Sequence, residues 1–240
     1  MAEGLRTRLV DLDDDSDVVG SSLNRTQIAA MWFNQLAFAV FLTLPYTLAV
    51  YMVRDFEGDK GTEGSVGRDT GLLAAAASAA QCMTSFLWGA VSDSIGRKPL
   101  LMIGNISACV SILALGLAPN YTVAILSRFL GGLFTSGIGV AVKTIIAESC
   151  DAAGQAKAMG YMTSAMGVGS IAGPSIAGLL TRPCCHFASS LFVCEEGSLL
   201  RERPFFLPCL VSAVLAVFGL LSNIFVMSES HPKLKSAGDI

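Results

Sequence analysis

Residues 89–101 read Gly-Ala-Val-Ser-Asp-Ser-Ile-Gly-Arg-Lys-Pro-Leu-Leu. The polar part of this stretch, 91–98, is a tight basic loop between two apolar runs, 70–90 and 99–118. Each run supplies the roughly 20 residues that a helix needs to cross a hydrocarbon core. Gly96 permits a tight reversal, and Pro99 starts the following helix with its φ preset. Asp93 sets a carboxylate at a helix end, close to Arg97 and Lys98, and Gly89 lets its helix approach a neighbour closely. The stretch therefore predicts two membrane-crossing helices joined by a short charged turn.

Outward from this hairpin the pattern repeats. Further apolar runs lie at 27–53, 121–147, 158–180 and 205–227, which makes six in all. The links are polar: 54–69 is charged and Gly-rich, Pro119 and Asn120 form a turn, 148–157 is polar, and 181–204 is the longest loop. Lipid offers no partner to backbone N–H and C=O groups, so the runs must be helices rather than open strands. The fold class is all-α integral membrane, with six transmembrane helices over 27–227. Residues 1–26, which contain DLDDDSD and no apolar h-region, read as a solvated, disordered acidic tail rather than a signal peptide. Residues 228–240 form a second short tail.

Composition agrees. Hydrophobic residues make up 52% of the 240, charged residues 15%, and Gly contributes 24. A soluble domain carries about 25% charged residues, so too few charges remain to coat a globule. The mean hydropathy is +0.60. A net charge of −3 excludes a strongly basic nucleic-acid binder. The catalytic patterns H-E-x-x-H and G-x-S-x-G are missing, and both histidines, His186 and His231, lie outside the spans. An enzyme is not expected, and no cofactor is called for. Lys and Arg outside the spans divide eight to six in favour of cytoplasmic termini, a shallow bias under the positive-inside rule.

The 89–101 stretch resembles the signature loop of the major facilitator superfamily, G-x-L-x-D-x-x-G-R-K-x-x-L, at Gly89, Asp93, Gly96, Arg97 and Lys98. It also lies between the second and third spans, as in that family. The resemblance implies a cytoplasmic loop that helps hold one transporter conformation closed. Glu148, at the end of the fourth span, is expected either to pair with Arg97 or to remain solvated.

Arg128 stands about seven residues into the fourth span, in the context Arg-Phe-Leu-Gly-Gly. This is similar to the R-x-x-x-G element of drug:proton antiporters, which implies a role in proton coupling or substrate handling. The alternative is an arginine that snorkels to the interface; for Lys143, nearer the helix end, snorkelling is the expectation. The fifth span carries Gly160, Gly169, Gly173-Pro174 and Ala177-Gly178, and resembles the antiporter motif G-x8-G-x3-G-P-x2-G-G with Ala for one Gly. Gly169, Gly173 and Ala177 form a small-residue groove that Pro174 can bend. It reads either as a seal between transporter halves or as ordinary packing. By resemblance, spans one, two, four and five face the cavity, which makes Asn34, Gln35 and Gln81 candidate lining residues. Asp and Glu are missing from the middle of every span. Proton coupling would need a carboxylate from elsewhere, or Asp93 and Glu148.

Cys184, Cys185, His186 and Cys194 share the long non-cytoplasmic loop. Their spacing fits no common zinc motif, and disulfides or free thiols are expected rather than a metal site. The finest resemblance is to the drug:proton antiporter-like branch, with the plant zinc-induced facilitators nearest. It covers the N-terminal six-helix half alone. The implied activity is secondary transport, by alternating access, of a small organic solute, drug or metal chelate, coupled to protons. The partners would be the lipid bilayer, the substrate and the missing C-terminal half. The alternative is a non-transporting membrane protein whose partner is oligomeric, a second copy or a full-length carrier that it regulates. Plasma membrane and vacuolar membrane both fit.

Overall fold

The computed structural model describes residues 25–58, 63–181 and 203–227. Six helices account for nearly all of them: α1 Arg25–Glu57, α2 Glu63–Ile95, α3 Arg97–Gly116, α4 Tyr121–Ser149, α5 Ala152–Leu180 and α6 Phe206–Phe225. All six are long and apolar enough to cross a membrane. The acidic tail before Asn24, the cluster Cys184, Cys185, His186 and Cys194, and the tail after Met227 lie outside the described residues.

Several helices run past the apolar runs that announce them. Most of 54–69 is helical, divided between the end of α1 and the start of α2. Hydropathy marks only the part of a helix that lies in lipid, and a charged turn that keeps its backbone bonds continues into water unseen. The turns themselves follow local chemistry. Gly96 takes φ 95°, a left-handed conformation that favours glycine, and separates α2 from α3. Pro99 falls in the first turn of α3, where its missing N–H leaves no helix bond unmade. Asn120 caps α4 by accepting from the Val123 N–H at 3.1 Å, and Asp151 caps α5 by accepting from the Gly154 N–H at 3.0 Å.

The helices pack as two columns. α1 lies along α5 and also meets α6; α4 lies between α2 and α3; α3 and α6 close the far side. α2 and α5 bury the least of their apolar length. Small residues allow the close approaches. A Cβ on Gly169 would fall 2.5 Å from the Ala39 Cβ and 2.8 Å from the Leu36 carbonyl oxygen. One on Gly173 would strike the Thr43 hydroxyl and sit 3.0 Å from the Leu44 N. Gly132 stands in the same way against Ala77 of α2.

This packing occupies the fifth-span groove, in keeping with its reading as packing within the bundle. Gly169, Gly173 and the fully buried Ala177 do not face outward, because α1 fills the groove. Gly160 and Gly178 are the open positions of the motif, with nothing within 4 Å of an added Cβ. Gly89 is likewise open and makes no close approach within this bundle. A glycine pattern gives the spacing of a groove along a helix but leaves its occupant unnamed.

Candidate functional site

Two groups of polar residues stand out, one at the turn between α2 and α3 and one on the face shared by α1, α2, α4 and α5. At the turn, Arg97 is almost wholly buried, with a side chain 5% exposed. Its Nη1 donates to the Ser92 carbonyl at 2.7 Å, and its Nη2 reaches Asp93 Oδ1 at 3.0 Å and Glu148 Oε1 at 2.6 Å. One planar guanidinium thus holds the end of α2 to the end of α4. A fork of fixed donors suits this work, and a flexible ammonium does not. Asp93 remains 73% exposed. Lys98 Nζ donates to the Ile224 carbonyl at 2.9 Å, in the last turn of α6, where the helix dipole favours a cation. The turn therefore joins α2, α3, α4 and α6 at one end of the bundle.

Between α2 and α4 a ladder of polar contacts continues into the interior. Thr84 Oγ1 donates to the Leu133 carbonyl at 2.9 Å and lies 3.1 Å from Ser136 Oγ. Gln81 Nε2 donates to Thr135 Oγ1 at 3.3 Å. Trp88 Nε1 also donates to the Leu133 carbonyl, and its ring packs against Phe134. On the α1–α5 side, Trp32 Nε1 donates to Ser164 Oγ at 3.1 Å.

These walls frame two recesses. One, of about 420 Å³, is lined by Ser78, Gln81 and Ser85 of α2 and Ser136 of α4. The other, of about 370 Å³, is lined by Gln35 of α1 and Met159, Met162 and Met166 of α5. Phe38, Gly139 and Lys143 border both, so they form one concave surface. Gln35 lines the second recess and Gln81 the first. Asn34 lines neither recess: it is buried toward α6, with its Nδ2 3.7 Å from where a Gly219 Cβ would stand. Adjacent helix positions point about 100° apart, so Asn34 and Gln35 could not share one face.

Arg128 neither lines this surface nor snorkels. It is 1% exposed, inside the bundle, with its Cζ 5.2 Å from the centroid of the Phe41 ring on α1. All three guanidinium nitrogens lack a hydrogen-bond partner among the described residues. The aromatic face provides its one favourable polar contact there, a cation–π interaction. Lys143 was missed as a site residue. Its signal is present in the sequence: Ser136, Gly139 and Lys143 recur at helical spacing, opposite Ser78, Gln81 and Ser85 at the same spacing.

A third recess, of about 440 Å³, opens between α3 and α4 away from the polar surface and is lined mainly by Ile103, Ile106, Val110, Leu130 and Phe134. Its walls carry no charge and suit hydrocarbon. Among the described residues no group of three His, Cys, Asp or Glu could hold a metal ion.

The chain is similar to known proteins over most of its length. It is 32% identical over 223 residues to Protein ZINC INDUCED FACILITATOR-LIKE 1 of Arabidopsis thaliana, an alignment covering 89% of this chain and 46% of that one. It is 33% identical over 169 residues to the Quinolone resistance protein NorA of Staphylococcus aureus, covering 69% and 42%. Among solved structures, the human organic anion transporter MFSD10 (TETRAN) superposes with a TM-score of 0.67 at 17% identity, covering 86% of this chain and 48% of that one. The chain spans about half the length of these relatives, and its six helices are one half of their fold. The model of the Major Facilitator Superfamily matches residues 30–221, and the chain, a multi-pass membrane protein, belongs to that family.

Proposed function

We propose that the chain is the N-terminal half of a secondary active carrier that moves a small organic solute, drug or metal chelate by alternating access, coupled to protons. The observation that carries this reading is the concave polar surface framed by α1, α2, α4 and α5, which the described residues leave uncovered. A second six-helix body laid against it would close a central cavity, which is where transporters of repeated architecture hold their substrates. The exposed sides of α2 and α5 suit such a cover, and open glycines at 160, 167 and 178 would allow it close approach. The names of the relatives, among them a quinolone resistance protein and a multidrug transporter, support a small organic cargo.

In this reading the Asp93–Arg97–Glu148 cluster gates one end, which faces the cytoplasm together with both termini, in a plasma or vacuolar membrane. The cluster's bonds lie within this half, so they make it rigid, and the exposed Asp93 is the member left to engage the other body. Arg128 serves proton coupling. An unpaired guanidinium inside a bundle raises the local potential, and a nearby proton-accepting group would feel its charge.

The test uses the native polypeptide reconstituted in proteoliposomes, with norfloxacin as probe and an imposed pH gradient. Gradient-driven norfloxacin flux above that of protein-free liposomes is expected, with Arg128→Ala losing the response to the gradient. Full coupled flux in Arg128→Ala would remove the arginine from the mechanism, and no flux in the wild type would remove the transport reading.

A further inference from the structure

We infer that Lys143 makes the polar surface selective for a small amphipathic organic anion, whose carboxylate pairs with the lysine ammonium. This rests on the carrier reading above and names the substrate class of that surface. Lys143 stands six residues, about 9 Å, inside the end of α4. An intramembrane ammonium is costly unless it is hydrated or paired. Lys143 is exposed and has no hydrogen bond or ion pair to any described residue, and it borders both recesses, so it stands where they meet. In a helix the Cα–Cβ bond leans toward the N-terminus, which for Lys143 is toward the middle of the span.

Among the described residues, no Asp or Glu lines either recess. The nearest carboxylate along α4 is Glu148, five residues on and about 140° round the helix, and Arg97 already holds it. The surface thus carries one uncompensated positive charge. Around it lie groups that would fit the rest of such a solute. Gln35 is buried, and its Oε1 has no partner among the described residues. Phe38 and the methionines Met159, Met162 and Met166 offer an apolar wall, and unbranched thioethers adapt to varied shapes. A lysine is a compact charge suited to a carboxylate without imposing one fixed orientation.

The test compares acid–amide pairs of matched shape: benzoate with benzamide, 2-naphthoate with 2-naphthamide, and octanoate with octanamide. Radiolabelled forms are titrated against the native polypeptide in lipid nanodiscs. At least one acid is expected to bind tenfold or more tighter than its amide. Lys143→Gln should lose that preference while changing amide binding less than twofold, and Lys143→Arg should keep most of it. Saturable binding absent for all three acids, equal affinity within every pair, or an unchanged preference in Lys143→Gln would each overturn the inference. Counterflow in proteoliposomes separates it from the carrier reading. Lysine-dependent acid binding without counterflow sinks transport and leaves the anion site; equal counterflow of acid and amide sinks the anion site and leaves transport.

Discussion

At the scale of single residues, Arg97 sets the chemistry of the α2–α3 turn, and its three acceptors decide what substitution does. Removing the Glu148 carboxylate leaves a buried guanidinium with weaker compensation. Breaking a buried charge pair from one side is destabilising, here by about 1–3 kcal/mol because Asp93 and Ser92 remain. Glu148→Gln is therefore expected to lower the thermal unfolding midpoint in detergent. Arg97→Lys should lower it at least as far, since one ammonium cannot reach all three acceptors in the fork geometry. An exchange of the two charges, Arg97→Glu with Glu148→Arg, should recover only part of the loss, because the Ser92 carbonyl loses its donor. Full recovery would mean that the Ser92 bond is immaterial. The pairing of Arg97 with Glu148 was readable from opposite charge at shared depth. The burial of Arg128 was readable only in part: its depth followed from the span, but its ring partner Phe41, 87 positions away, did not. The recess that Lys143 borders was not readable, for a related reason. Distance from a helix end is legible in a sequence, whereas the direction a side chain faces depends on which helices flank it.

At the scale of helices, small residues decide which pairs lie close. Gly169 and Gly173 bring α5 against the α1 backbone itself, and backbone cannot rotate away as a side chain can. Gly173→Val is expected to force α1 and α5 apart, at a cost typical of overpacking, about 1–3 kcal/mol or more. Gly178→Val, with open space around it, should leave stability unchanged and reduce flux, if a second body packs there as proposed. The two variants are compared by unfolding midpoint and by norfloxacin flux in proteoliposomes. A stable Gly173→Val would refute the α1–α5 contact, and wild-type flux in Gly178→Val would refute packing of a second half on that face. Pro45 in α1 and Pro174 in α5 lie beside this same contact, since Gly173 rests on Thr43 and Leu44. Each removes one helix bond, so the closest pair in the bundle also has two bendable points at matching depth. The six helices themselves were legible because membrane burial writes a long, continuous apolar run. Their ends were not, because the charged turns of α1 and α2 that leave the lipid look like loop.

For the whole molecule, two surfaces differ in kind. The surface of α1, α2, α4 and α5 is concave and carries glutamines, serines and one lysine; the surface of α3 and α4 carries no charge and is mainly apolar. Lipid on every side would leave the polar groups of the first without water, and this asymmetry supports the proposed covering second body. On the carrier reading proposed above, the rigid half rocks against its cover and the Arg97 end opens and closes. The proposed orientation has a direct check at Cys150, which follows α4 at that end. Burial, with a smaller contribution from the Asp151 charge, pushes its thiol up from the ordinary cysteine value. The thiolate is the reactive form, so labelling should be slow near neutral pH and accelerate as pH rises through and beyond the usual thiol range. With Cys150 as the sole cysteine, a membrane-impermeant maleimide should modify sealed cytoplasmic-face-out microsomes without detergent, about twentyfold or more faster at pH 9 than at pH 7. A variant keeping Cys184 alone should react only after detergent is added. If Cys150 requires detergent and Cys184 does not, the bundle is inverted, the Arg97 cluster gates the other side, and Lys143 recognises its solute from the opposite compartment.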